Sequence, residues 1–299
     1  MIPYVRDIAF EYGACDQVSP LIRRVIADNP GPFTFTGTGT YIVGRGEVAV
    51  IDPGPDLAEH LEAILAATAG ERITHILVTH HHSDHSPLAR PLQARTGALI
   101  HGCAVKDAVR EEPEGAVVME AGHDGAFVPD VDLCAGGRIE GAGWTLEAIP
   151  TPGHTSNHLC YALLEENALF SGDHIMGWST TVIAPPDGNM GDYMESLARV
   201  RARDFAVLWP THGAPVRQVA PFIDAYIAHR RAREAQITTA LAEGPARIAE
   251  LVPRLYADVD ARLYPAAARS MLANMIELAR TGRVSTDGEP GDDSLYRLA

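Results

Sequence analysis

Apolar and polar positions along the first 215 residues alternate in two ways, and each predicts a different kind of element. Short apolar runs rich in β-branched and aromatic residues predict strands, whereas apolar residues three and four positions apart predict helices. The predicted strands are residues 33–44, 46–52, 73–79, 145–151, 158–164, 168–173 and 205–213. The predicted helices are residues 56–69, 86–96 and 191–203. Strands that alternate with helices in this order indicate an α/β domain whose sheets are covered by helices.

The pattern changes after Pro215, where helical spacing dominates. The predicted helices of this part are residues 220–243, 246–256 and 265–281, and the tail has a turn-rich centre between two short β-like runs. Three helices followed by a terminal hairpin favour a small winged-helix-like α domain. We therefore expect two domains, residues 1–215 and residues 216–299.

Charge is distributed unevenly over these two parts. The chain of 299 residues has a formal net charge of −15, and residues 1–216 carry all of it, while residues 217–299 are neutral. An acidic domain does not attract a polyphosphate strongly, so nucleic acid is a less favoured partner than a small molecule. No apolar run approaches the 18 residues of a membrane span. Asp7 and Glu11 interrupt the N-terminus where a signal peptide would be apolar, which favours a cytoplasmic protein.

The four cysteines are scattered, and no two of them form a C-x-x-C pair. They are Cys15, Cys103, Cys134 and Cys160. In a cytoplasmic protein we expect such cysteines to be reduced and mostly buried.

A histidine-rich segment follows the predicted strand 73–79. In an extended backbone His80 and His82 turn to one side, and Asp84 and His85 can face a second point nearby. Imidazole and carboxylate together suit Zn²⁺, with Fe or Mn as alternatives. The segment taken alone is also compatible with a solvated loop of chance metal affinity.

Three more candidate ligands stand at predicted strand ends. They are His154 in TPGHTSNH, Asp173 in LFSGDH and His212 in WPTHG. The combination of H-x-H-x-D-H, G-H-T, G-D and T-H-G over residues 33–215 resembles the metallo-β-lactamase fold superfamily. That resemblance implies a four-layer αββα sandwich. It also implies one metal held by His80, His82 and His154, a second held by Asp84, His85 and His212, and Asp173 bridging them.

The resemblance extends to Asp52 in VIDPG, which matches a family carboxylate that fixes a ligand imidazole. A turn-capping Asp before Pro-Gly is the alternative. Two Zn²⁺ ions that share a water lower its pKa, and the bridging hydroxide attacks a carbonyl carbon or a phosphorus. Asp84 is our candidate to carry the proton towards the leaving group. We therefore expect a dinuclear hydrolase of an ester, thioester, lactone or phosphodiester.

For several other polar and aromatic residues we predict roles other than metal binding. His81 should point away from the ligands, and His158 should be packed or support a ligand. His174 can line the pocket or cap a strand end, and Trp178 belongs to a loop that can form a substrate wall. The histidines at positions 60, 75, 101, 123 and 229 fit no ligand spacing. Arg230, Arg231 and Arg233 are interpreted as the solvated face of a helix.

Differences between this sequence and other members of the superfamily reduce the number of candidate activities. Asp173 stands where β-lactamases of this fold generally have Cys or Ser, which makes β-lactamase activity less favoured. Flavodiiron proteins carry H-x-E-x-D, unlike this chain, and β-CASP nucleases carry an insertion that the 39 residues from Asp173 to His212 cannot contain.

The C-terminal segment resembles one group of the superfamily in particular. THGAPVRQVAPFIDAYIAHRRAREAQI and the helical region after it are similar to the group typified by β-lactamase-like protein two, which carries a winged helix. Its animal member acts on single-stranded RNA. The alternative function is therefore a single-stranded-RNA endoribonuclease, with the winged helix as a nucleic-acid module or as the contact of a homodimer.

Overall fold

Two mixed β-sheets pack face to face in the computed structural model, which describes residues 2–105, 122–257 and 260–299. The first sheet contains, in spatial and chain order, β1 (Cys15–Gln17), β2 (Ile22–Ile26), β3 (Gly39–Arg45), β4 (Glu47–Ile51), β5 (Arg72–Leu77), β6 (Leu99–Gly102) and β7 (Val131–Asp132). The second contains β8 (Gly137–Gly141), β9 (Trp144–Pro150), β10 (Leu159–Leu163), β11 (Ala168–Gly172) and β12 (Val207–Pro210).

Helices cover the outer face of each sheet. The helices are α1 (Ala58–Ala67), α2 (Ala89–Thr96), α3 (Met190–Arg201), α4 (Val219–Ala242), α5 (Ile248–Leu255) and α6 (Tyr264–Arg280). Ile64 of α1 and Leu92 of α2 pack on the first sheet, and Leu197 of α3 and Phe222 of α4 pack on the second. The predicted helices therefore form within a few residues of their expected limits. Among the described residues, no helix has the length and apolar character that a membrane crossing requires.

Alternation along the strands explains the layers. In β3, Tyr41 and Val43 point between the two sheets, whereas Ile42 points towards α1 and α2. In β10, Tyr161 joins the same central layer, whereas Cys160 points towards α3. Since successive side chains of a strand face opposite sides, each sheet buries both of its faces. The predicted four-layer αββα sandwich is confirmed.

The C-terminal part consists of three helices and a hairpin, as expected. The hairpin pairs β13 (Val284–Ser285) with β14 (Arg297–Leu298). Helix α4 belongs to two cores, because Phe222 lies in the core of the large sandwich while Ile237 and Leu241 pack with Met271 of α6. The division between residues 215 and 216 remains a prediction.

The connectivity brings loops from both sheets to one edge. Strands β4 and β5 are parallel, and so are β11 and β12. Their carboxyl ends therefore deliver Asp52, His80, Asp173 and His212 from the two sheets towards the same region. This is the arrangement that the strand-end positions predicted.

Some expectations need correction. The strand predicted over residues 33–44 begins only at Gly39, because Phe35 and Gly37 adopt positive φ angles of 55° and 110° in a turn. Strands β1, β2, β6 and β8 were not predicted as separate elements. The region expected to hold loops and short strands, residues 111–143, contains β7 and β8; its residues 111–121 lie outside the described residues.

The prediction that all cysteines are reduced is wrong. Cys103 and Cys134 form a disulfide, because the parallel pairing of β6 with β7 brings the residues after each strand together, with Cα atoms 4.5 Å apart. Cys15 and Cys160 are free, and only Cys160 is buried.

Candidate metal centre

The seven predicted ligands meet at the edge where the two sheets present their strand ends. They are His80, His82, Asp84, His85, His154, Asp173 and His212. Four of them come from the loop after β5, and the others follow β9, β11 and β12. Each is between 0% and 7% exposed. Buried imidazoles and carboxylates need compensating partners, so this cluster is a candidate cation site.

Three histidines form the first group of the cluster. Nδ1 of His82 lies 2.9 Å from Nε2 of His80 and 3.2 Å from Nε2 of His154. Three imidazole nitrogens therefore converge on one point, as the donors of a zinc site do.

Asp84, His85 and His212 form the second group. Nε2 of His212 lies 3.1 Å from Oδ2 of Asp84, and Nε2 of His85 lies 3.5 Å from the same oxygen. Asp173 lies between the groups: its Oδ1 is 3.7 Å from Nε2 of His85, and its Oδ2 is 3.8 Å from Nε2 of His154. The two oxygens of one carboxylate thus face both groups.

The separations of 3.5 to 3.8 Å around His85 and Asp173 fit ligands of a shared metal better than hydrogen bonds, whereas the shorter separations of 2.9 to 3.2 Å are of hydrogen-bond length. Donors about 2.0–2.2 Å from one tetrahedral ion lie about 3.3–3.6 Å from one another. Nε2 of His85 and Oδ1 of Asp173 are buried, and neither has a hydrogen-bond partner among the described residues. At 3.7 Å they are too far apart to satisfy each other. A cation between them would satisfy both.

The protonation equilibria of the histidines differ between the two groups. Burial lowers the pKa of His80 well below its usual value, assisted by neighbouring imidazoles, and burial lowers the pKa of His82 to about 4. Neutral rings are the form that binds metals. Burial also lowers the pKa of His85, but Asp84 and Asp173 outweigh it and hold this pKa well above its usual value. The carboxylates thus favour positive charge at this point.

Asp52 stands behind the second group, where the resemblance places it. Its Oδ2 accepts a hydrogen bond from Nδ1 of His85, 2.9 Å away. The same carboxylate accepts hydrogen bonds from the backbone and hydroxyl of Thr79 and from the hydroxyl of Thr211. This arrangement fixes the His85 ring and leaves its Nε2 for the site. Thr79 and Thr211 were not predicted, although each directly precedes a candidate ligand.

Three more candidate ligands are oriented through their second ring nitrogen. Nδ1 of His154 donates to the carbonyl oxygen of Val182 at 2.7 Å, and Nδ1 of His212 donates to that of Gly37 at 3.2 Å. Nδ1 of His80 lies 3.0 Å from the hydroxyl oxygen of Thr79. In each ring the Nε2 atom is therefore the one available to the site.

The remaining histidines support the cluster to different extents. His81 turns towards Asn157, as expected, with Nδ1 at 2.9 Å from Oδ1. Nε2 of His158 accepts the backbone N–H of Asp173 at 3.2 Å, which positions that carboxylate. His174 is fully buried beside Tyr193 and is not among the residues that line the cleft over the cluster. His123 is less ordinary than predicted, because its ring stacks on His81 at 4.9 Å.

A cleft of about 300 Å³ opens over the cluster. His82, Asp84, His154 and Asp173 of the cluster are among the residues that line it. One wall is the loop of residues 176–182, in which Trp178 stacks on Phe35 with ring centroids 4.9 Å apart. The other wall comes from the C-terminal helices and consists of Tyr256, Leu263, Ala266, Ala267 and Ser270.

The cleft is predominantly apolar away from the cluster. Among the described residues that line it there is no arginine or lysine. Trp178 therefore lines the cleft, and its role as a substrate wall stays a prediction; the contribution of the C-terminal helices to the lining was not predicted. The residues of these helices have the pattern of ordinary helix packing, which does not indicate a pocket.

Comparison with known families agrees with this geometry. The family described as "Metallo-beta-lactamase superfamily" matches residues 34–212, and "Beta-lactamase associated winged helix domain" matches residues 248–293. A relative from Caenorhabditis elegans named "Beta-lactamase-like protein 2 homolog" is 33% identical over 76% of this chain and 73% of its own. An "Atrochrysone carboxyl ACP thioesterase" from Aspergillus fumigatus is 32% identical over 89% of this chain and 84% of its own.

Solved structures show the same fold. A crystal structure described as a β-lactamase domain protein from Burkholderia ambifaria has a TM-score of 0.81 at 23% identity, covering 98% of this chain and 96% of that one. On the family matches over residues 34–212 and 248–293 and the relatives more than 30% identical, the chain belongs to the metallo-β-lactamase superfamily and is a hydrolase that carries the winged helix domain associated with it.

Proposed function

We propose that the protein is a dinuclear metal-dependent thioesterase that hydrolyses the thioester of an apolar acyl group. The observation that carries this proposal is that residues of the His/Asp cluster line a cleft that is otherwise predominantly apolar. An acyl chain in the cleft, between Trp178 and the C-terminal helices, would place its carbonyl at the cluster. The thioesterase names of several relatives support this substrate class, and esters and lactones present the same carbonyl group.

We assign the candidate ligands to two metal ions. His80, His82 and His154 would hold one, Asp84, His85 and His212 the other, and Asp173 would contact both. Zinc suits this mixture of imidazole and carboxylate, and Fe or Mn are alternatives. When bound, the pair would supply an activated water near neutral pH and Lewis-acid stabilisation of negative charge on the carbonyl oxygen.

Asp84 is the residue to which we assign proton transfer. It lines the cleft, and its Oδ2 lies 3.1 Å from Nε2 of His212. Burial raises its pKa, but His85 and His212 outweigh this and hold the pKa below its ordinary value, so the carboxylate is ionised. An ionised carboxylate in the cleft has a free position for the proton of the attacking water and can pass that proton to the departing thiolate.

The endoribonuclease alternative has weaker support. A phosphodiester backbone is bound mainly by arginine and lysine, and the described cleft lining contains neither. The acidic charge of residues 1–216 opposes RNA binding as well. The location in the cytoplasm and a homodimer remain predictions, and the winged helix as an RNA-docking module remains part of this alternative.

A substrate screen tests the proposal. Full-length protein loaded with zinc is incubated with decanoyl and benzoyl thioesters of coenzyme A, nitrocefin and labelled single-stranded RNA. We expect release of free thiol from the thioesters, loss of this activity with EDTA, and its return with added zinc. Asp84→Asn should lower kcat at least about a hundredfold, the scale of general acid–base catalysis. Asp56→Asn, at an exposed position, is the matched control.

Two outcomes would count against the thioesterase proposal. Cleavage of RNA without thioester hydrolysis, falling steeply with salt concentration, would favour the endoribonuclease. Thioester hydrolysis that persists after removal of all metal would contradict the proposed chemistry.

A further inference from the structure

One face of helix α4 carries three polar side chains that the proposed chemistry does not use. Tyr226, Arg230 and Arg233 occur at positions i, i+4 and i+7, so they lie in a row. The sequence interpretation of the arginines as a solvated face is wrong for two of them. Arg230 is only 6% exposed, and Arg233 is partly buried against Tyr256; Arg231, between them, is exposed.

Tyr226 fixes the start of the cleft loop, residues 176–182. Its hydroxyl accepts the backbone N–H of Met176 at 3.2 Å and donates to the carbonyl oxygen of Met176 at 2.6 Å, with the carbonyl oxygen of Ser179 also close. Burial raises the pKa of this phenol well above its usual value, so the hydroxyl keeps its proton. The loop has no regular secondary structure, so its backbone groups depend on such partners.

Arg230 fixes the end of the same loop. Its guanidinium donates to the carbonyl oxygen of Thr181 and lies 5.1 Å from the ring centroid of Tyr193. The next residue, Val182, accepts the hydrogen bond from the candidate ligand His154. A buried guanidinium requires such partners, so its position and that of the loop are linked.

Arg233 contacts the part of the cleft lining that comes from the C-terminal helices. Its guanidinium carbon lies 3.9 Å from the centroid of the Tyr256 ring, and the group donates to the carbonyl oxygen of Leu255. Tyr256 lines the same cleft as the loop of residues 176–182. Cation–π contact and the hydrogen bond together fix the end of α5 relative to α4.

We propose that Tyr226, Arg230 and Arg233 are positioning residues that set the width of the cleft and thereby its selectivity for the acyl group. A single rigid helix contacts the loop wall through two of them and the Tyr256 wall through the third. The identity of the substrate in this statement rests on the proposed thioesterase function; the positioning of the two walls does not.

Two test variants and one matched control variant examine the positioning role of these residues. Tyr226→Phe removes one hydroxyl without changing the ring, and Arg233→Ala releases Tyr256; Arg231→Ala removes the exposed neighbour. With zinc-loaded full-length protein, we expect the KM for a decanoyl thioester to rise about tenfold in the two test variants, while kcat for an acetyl thioester stays within about twofold. Arg231→Ala should match the wild type on both substrates.

Hydrogen exchange supplies a readout that needs no activity. Amides of residues 176–182 should exchange faster in Tyr226→Phe, and those of residues 255–257 faster in Arg233→Ala, with neither change in Arg231→Ala. Equal losses of activity on the decanoyl and acetyl thioesters, or hydrogen exchange identical to that of Arg231→Ala, would overturn the positioning role. A wild-type protein that hydrolyses no thioester would instead refute the proposed function. The hydrogen-exchange pattern would still decide whether Tyr226, Arg230 and Arg233 position the cleft lining.

Discussion

Oδ2 of Asp52 and Nδ1 of His85 lie 2.9 Å apart, at a point where neither residue is exposed to solvent. The carboxylate also accepts hydrogen bonds from Thr79, after β5, and from Thr211, after β12. One side chain therefore ties the ends of both sheets together and orients a candidate ligand. It does so from a left-handed backbone conformation, with φ of 48°.

Replacing Asp52 by Asn should weaken metal binding. The amide keeps the shape and tolerates the positive φ, but it loses the negative charge and turns an N–H₂ group towards donors. We expect metal affinity to fall about 10- to 100-fold, the usual effect of removing a group that orients a ligand. Competition with a chromophoric chelator measures this affinity directly.

The exposed Asp56, four residues away, supplies the control for this measurement. Asp56→Asn should bind metal like the wild type. An unchanged affinity in Asp52→Asn would show that the hydrogen bond to His85 does not orient a ligand.

Filling the cleft should change acyl selectivity. Ala266 of α6 lines the cleft, so Ala266→Phe would occupy space that the acyl chain needs. We expect kcat/KM for a decanoyl thioester to fall about tenfold or more, because steric exclusion of even single methylene groups has effects of this size. Activity on an acetyl thioester should persist. The exposed Ala261, outside the cleft, gives the control variant Ala261→Phe; equal effects of the two variants would argue against an acyl site here.

The Cys103–Cys134 disulfide should stabilise the protein measurably. It closes a loop with a sequence separation of 31 residues. Loop-closure entropy gives a loss of about 3 to 4 kcal/mol in the free energy of unfolding on reduction. Urea denaturation with and without reductant measures the difference, which should disappear in the Cys103→Ser/Cys134→Ser double variant and remain in Cys15→Ser. Coincident unfolding curves for the oxidised and reduced wild type would contradict this account.

Several candidate ligands of the cluster could be predicted from the sequence for a physical reason. Polar residues such as His80, Asp173 and His212 directly follow apolar strands, and the ends of parallel strands meet at one edge of a sheet. Local pattern therefore carried information about a site built from distant segments. Asp52, by contrast, was indicated by the resemblance to the superfamily and not by the strand pattern.

Other features depend on packing between segments that have no local signal. Arg230 and Tyr256 have no distinctive local signal. The docking of α4 against the loop of residues 176–182 gives Arg230 its contact with Thr181, and the docking of α4 against the end of α5 gives Tyr256 its contact with Arg233. Cys103 and Cys134 are scattered in sequence and meet because β6 pairs with β7. Tertiary contacts of this kind cannot be read from periodicity.

Anomalous diffraction from zinc-grown crystals of the full-length protein shows whether the cluster holds two metal ions. We expect two metal peaks. One lies among His80, His82 and His154, the other lies among Asp84, His85 and His212, and Asp173 lies next to both. A cluster that binds no metal in the presence of excess zinc, or a single peak that leaves one group without an ion, would contradict the dinuclear centre.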